Sequence, residues 1–169
     1  MAHKILIVGS PGSGKSTLAV QLHKDLKVPV YHLDDIQWID DGTTISKADF
    51  ESTLRNILQQ NEWIIDGNYS DTIPLRLKEA TVVIWLQAPR VICLKRVIQR
   101  VIKSKIGNSK ILGGNPKTID FDFLKFVWNF PQQHSQLEFL QQQSSATWIK
   151  GRQSHNKKAL KEYFRAGYQ

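Results

Sequence analysis

A single cysteine, Cys93, occurs in the 169 residues. An internal disulfide is excluded, and the usage fits a reducing compartment. Cys93 lies in an apolar helical stretch, where a thiol acts as a small buried side chain. Long hydrophobic runs are also lacking. The longest, Ile5–Val8 and Val82–Leu86, fall far short of the roughly 20 apolar residues that a membrane helix needs. The first residues read as a strand entering a glycine-rich loop, not as a signal peptide. No membrane partner and a cytoplasmic location are therefore expected. The five histidines show no metal-ligand spacing and are assigned no role. Internal repeats and linkers are absent, so one domain over residues 1–169 is expected. Acidic residues are scarce after Gln87: 15 Lys and Arg stand against 4 Asp and Glu, a net of +11, whereas 8 stand against 11 before it, a net of −3. That asymmetry suggests a polyanionic partner for the second half. No zinc-finger, RNA-recognition or helix-turn-helix signature points to nucleic acid.

What is present is concentrated near the N-terminus. Lys4 to Val8 reads as a buried strand. Gly9-Ser10-Pro11-Gly12-Ser13-Gly14-Lys15-Ser16-Thr17 follows and fits the phosphate-loop pattern G-x-x-x-x-G-K-[ST] from Gly9 to Ser16. Its glycines permit backbone conformations closed to residues with a Cβ. Successive N–H groups can then turn inward toward an anion, and the helix that follows adds its positive end. Lys15 supplies a full charge to the terminal phosphates, and the Ser16 hydroxyl can ligate Mg²⁺. The pattern implies a nucleoside triphosphate, with ATP and Mg²⁺ as the expected cofactors.

Downstream, strands and helices alternate. Strands are expected over residues 28–33, 62–66, 81–86 and 146–150. Helices are expected over 14–26, 46–60, 72–78, 89–106, 121–130, 132–143 and 154–164, with Ser46 as the N-cap of the second. Residues 36–45 read as a loop, and 107–120 as a lid insert. The alternation implies an α/β fold with a five-stranded parallel sheet. In the helix after Pro89, Val91, Leu94, Ile98, Val101 and Ile102 are expected to face the core, and Arg96, Arg100 and Lys103 to share the other face. That basic face is either solvated or aimed at transferring phosphate oxygens. Phe121, Phe123, Phe126, Trp128 and Phe130 are expected to pack under the lid. Asp66, at a strand's C-terminal edge, is a candidate for Mg²⁺, usually through water; the alternative is a turn aspartate before Gly67.

With Pro29-Val30-Tyr31-His32-Leu33-Asp34, Trp63-Ile64-Ile65-Asp66-Gly67-Asn68-Tyr69-Ser70 and the stretch Ile119 to Pro131, the loop motif resembles the P-loop kinases of the adenylate-kinase type. Within them it is most similar to the bacterial DNA topology modulation proteins. The resemblance implies a three-layer P-loop NTPase fold of sheet order 2-3-1-4-5, MgATP and a closing lid. Arg96 and Arg100 match an R-x-x-x-R pair in which the first arginine lies against adenine and the second reaches phosphate. Arg55 and Arg76 flank the acceptor region, and Asn68 stands where adenylate kinases begin Phe-Pro-Arg. Asp34 occupies the position where related kinases of hydroxyl-bearing substrates place an acidic residue. The expected function is thus γ-phosphate transfer to a small-molecule acceptor. A nucleotide-like acceptor held by Asn68 and Arg76 is preferred, and a hydroxyl acceptor served by Asp34 stands close behind. An ATP-binding, nucleic-acid-associated regulator is the alternative from another class. A GTPase would need N-K-x-D, and the one Asn-Lys, Asn156-Lys157, continues Lys158-Ala159.

Overall fold

The computed structural model describes residues 3–39, 43–106, 121–152, 159–160 and 162–163. Five strands form one parallel sheet in the order β2-β3-β1-β4-β5. They are β1 (Lys4–Gly9), β2 (Val30–His32), β3 (Trp63–Asp66), β4 (Val82–Leu86) and β5 (Thr147–Gly151). The helices are α1 (Lys15–Leu26), α2 (Leu33–Gln37), α3 (Lys47–Leu58), α4 (Ile73–Glu79), α5 (Arg90–Ile106), α6 (Phe121–Asn129) and α7 (His134–Gln142). Sheet type and order are as expected. The lid expected at 107–120 and most of the helix expected at 154–164 lie outside the described residues.

Strand periodicity builds the two faces. Successive side chains of β1 point to opposite sides. Leu6 and Val8 join Leu33, Phe50, Leu54 and Trp85 on one side, whereas Ile5 and Ile7 join Leu18, Leu22, Val82 and Ile84 on the other. Each face is covered by helices, which explains why β1 and β4 are apolar nearly throughout. Leu160 also packs on the second face. Ser46 caps α3 as expected, its hydroxyl accepting from the Asp49 N–H at 3.1 Å. Among the described residues, no helix is long and apolar enough to cross a membrane.

Two readings are corrected here. The loop expected from Ile36 begins instead with α2, which takes Leu33 into the core and carries Asp34 in its first turn. Of the α5 residues expected inward, Val101 is buried and Leu94 packs in the cluster of Cys93, Val97 and Val127, but Val91 and Ile102 are exposed, and Cys93 and Val97 take the core side instead. Helix α5 reads apolar on more than one side, and packing against α6 and the loop after β1 selects the buried side. The aromatic residues of this region also divide: Phe130, in the 3-10 turn after α6, is buried, but Phe121 and Trp128 of α6 stand exposed.

Candidate functional site

The C-terminal ends of β1, β2 and β3 gather the site, because parallel strands all finish on one edge. From β1 the chain passes Gly9 to Gly14 and enters α1. Gly9 and Gly12 are required there by close approach. At Gly9 (φ +145°) a Cβ would meet the Leu86 carbonyl oxygen at 2.4 Å, and at Gly12 (φ +78°) it would meet that of Cys93 at 2.5 Å. The loop is thus pressed against β4 and α5. Gly12→Ala should cost about 1–2 kcal/mol for a left-handed alanine and a further ~1–3 kcal/mol for overpacking. The expected fall in Tm is roughly 5–15 °C in a chain of this size. An unchanged thermal unfolding curve would contradict that packing.

The loop fits an anion. Lys15 Nζ is half-buried and donates to the carbonyls of Gly9 at 2.8 Å and Ser10 at 3.1 Å. Desolvation lowers its pKa, against the pull of Asp66 and Asp34. Ser13 is buried, and its hydroxyl has no hydrogen-bond partner among the described residues. A negative group would relieve both costs. Ser10 is buried with its hydroxyl on the Pro11 carbonyl, while Ser16 is half-buried and Thr17 exposed in the first turn of α1. Arg96 of α5 donates to the Gly12 carbonyl at 3.2 Å and the Ser13 carbonyl at 3.5 Å, so it lies along the outside of the loop. Arg100, one turn on, is half-buried. Burial lowers its pKa, and the charge of Asp34 opposes that shift.

Across the mouth lie Asp66 and Asp34. Asp66 ends β3, is buried, and receives His32 Nδ1 at 2.5 Å from the end of β2. That hydrogen bond is the chief cause of a raised His32 pKa. His32 was given no role from sequence. The signal that finds it is strand register, since His32 and Asp66 pair directly across two neighbouring strand ends. Asp34 Oδ1 accepts from the Tyr69 hydroxyl at 2.9 Å. Desolvation raises its pKa, while the Tyr69 bond, Lys15 and Arg100 pull it back. Asn68 uses its side-chain oxygen to receive the Gly9 N–H at 3.1 Å, fastening the segment after β3 to the phosphate loop.

The assignment of Arg76 to an acceptor phosphate is corrected. Its side chain is fully buried and points into the loop after β3. Nε donates to the Thr72 carbonyl at 3.3 Å, Nη1 to Gly67 at 2.9 Å, and Nη2 to Asn68 at 2.5 Å and Tyr69 at 3.0 Å. Desolvation pushes its pKa down to about 9, which still leaves it charged near neutrality. The four bonds offset the burial of that charge. Arg55 of α3 is exposed.

Residues 5–111 match the family described as AAA domain, well over half of the chain. The chain belongs to that family. A search of curated proteins finds no match for this AAA-domain chain. Among solved structures, its fold is similar to that of deoxyadenosine kinase from M. mycoides with bound dATP. The TM-score is 0.55 at 13% identity, over 98% of this chain and 99% of the other. The likeness is one of fold, and it places the AAA-domain chain among proteins of P-loop kinase architecture.

Proposed function

We propose that the chain is an MgATP-dependent phosphotransferase whose acceptor bears a hydroxyl group. The observation that carries this reading is Asp34, whose carboxylate interacts with both Lys15 and Arg100 and accepts a bond from Tyr69 on one oxygen. A phosphate-bearing acceptor loses its principal support, because Arg76 is fully buried and gives four hydrogen bonds to the Gly67–Thr72 segment. When bound, MgATP supplies the γ-phosphoryl group. Lys15 and the loop N–H groups hold the triphosphate, and Arg96 lies on the side assigned to adenine. Ser16 and Asp66 would hold Mg²⁺. Phosphate oxygens and water would complete its coordination. Arg100 neutralises charge on the transferring oxygens. Asp34 takes the acceptor's hydroxyl proton on Oδ2, and burial, by raising its pKa, makes it a stronger base than an exposed aspartate. The fold neighbour is named a deoxyadenosine kinase, and a nucleoside is one acceptor of this chemical class.

Asp34→Asn is expected to lower kcat by about 10²–10⁴-fold with little change in acceptor KM. The assay is ATP-dependent phosphorylation across nucleosides, other small alcohols and nucleoside monophosphates. Wild-type kcat in that variant, with only phosphate-bearing acceptors consumed, would overturn the proposal. The second reading is the ATP-binding, nucleic-acid-associated regulator, consistent with the resemblance to DNA topology modulation proteins and with a cytoplasmic location. The net +11 after Gln87 favours it. A DNA titration should then show a steep salt dependence.

A further inference from the structure

Tyr69 is held at every point where it can be held. Its backbone is left-handed (φ 34°), a conformation that persists in a bulky residue only when the surroundings over-determine it. The surroundings do so. Its carbonyl receives Arg76 Nη2 at 3.0 Å, the Thr72 N–H at 2.9 Å and the Thr72 hydroxyl at 3.0 Å. Its ring packs on Phe50 of α3 at 5.1 Å between centroids. The hydroxyl donates to Asp34 at 2.9 Å. The sequence alone gives Tyr69 no task.

We infer that Tyr69 is a positioning residue for Asp34: the Arg76-clamped loop fixes a phenol that engages Oδ1 and leaves Oδ2 for the acceptor. The inference rests on the proton-accepting role proposed for Asp34. A carboxylate in the first turn of a five-residue helix has rotamer freedom that would blur its aim. One directional donor, locked at ring, backbone and hydroxyl, removes that freedom, and such a supporting shell sets catalytic geometry. The phenol proton is directed at Asp34, the acceptor of its 2.9 Å bond. Arg76 acts through Tyr69, which gives a buried arginine bonded to four loop carbonyls a function without contact to any ligand.

Tyr69→Phe keeps the ring on Phe50 and deletes the hydroxyl. Its kcat should fall about 10-fold or more, the effect of losing one hydrogen bond to a charged group, with acceptor KM unchanged. The acid limb of the pH–rate profile should move to higher pH, because the lost bond lowers the Asp34 pKa. Lys15 from α1, Arg100 from α5, and Asp66 from β3 also face Asp34, with His32 and Asp35 beside it on the chain. All five persist in the variant, so the displacement belongs to the hydroxyl. A carbon-13 NMR titration of the Asp34 carboxyl, on the protein without nucleotide, should show the same displacement. In an Asp34→Asn background, Tyr69→Phe should add no further loss. An Asp34 titration and an acid limb left in place by Tyr69→Phe would overturn this inference alone. A silent Asp34→Asn would instead overturn the proton-acceptor role itself.

Discussion

Lys15→Ala is expected to weaken triphosphate binding by about 10–150-fold, the equivalent of a charge-assisted hydrogen bond worth roughly 1.5–3 kcal/mol. Turnover should fall by a further ~10²–10³-fold, because the same charge serves the transition state. The stability of the nucleotide-free protein should not fall with it. Burial already penalises the ammonium group, as its lowered pKa records, and its partners are two loop carbonyls. Isothermal titration with ATP and a thermal melt on the same sample separate the two effects. Wild-type binding in the variant would remove the phosphate-loop assignment.

Arg100→Ala should reduce kcat by about 10³–10⁵-fold, the range for arginines that stabilise transferring phosphoryl groups. The ATP dissociation constant should change far less. The geometry behind this is the placement of Arg100 on α5, where its charge interacts with Asp34 and Lys15 across the mouth of the site. Arg100→Lys should not restore the rate, since an ammonium lacks the planar fork. A single-turnover assay reports the chemical step directly. Wild-type kinetics in Arg100→Ala would return this side of α5 to the status of a solvated surface.

Legibility followed the range of the interactions. The phosphate loop was readable because its task is local: strand, glycines, lysine and helix start lie within one short segment. Ser46 was readable as a cap for the same reason. Sheet order came from the family resemblance, since five strands of similar apolar character carry no order of their own. Asp34 was placed at a strand end but belongs to α2, which at five residues is too short for helical periodicity to declare itself.

Arg76 shows where sequence reasoning fails. A charged residue in the right region reads as a ligand group. Only the folded loop reveals that the carbonyls of Gly67, Asn68, Tyr69 and Thr72 converge on it. The His32–Asp66 pair was hidden similarly, because two strands separated by two helices and a loop must first become neighbours. Helix α5 showed the remaining limit. Its sequence offers apolar residues on several sides, and the helix carbonyl that crowds Gly12 belongs to Cys93 on the side that is buried.

Phosphorus-31 NMR of the wild-type protein with MgATP and a mixed pool of nucleosides, small alcohols and nucleoside monophosphates tests the central claim most directly. The account predicts loss of the ATP γ-resonance and growth of a phosphomonoester signal, both abolished by Lys15→Ala. Growth of nucleoside diphosphate signals beyond the ADP released, with no phosphomonoester formed, would contradict it.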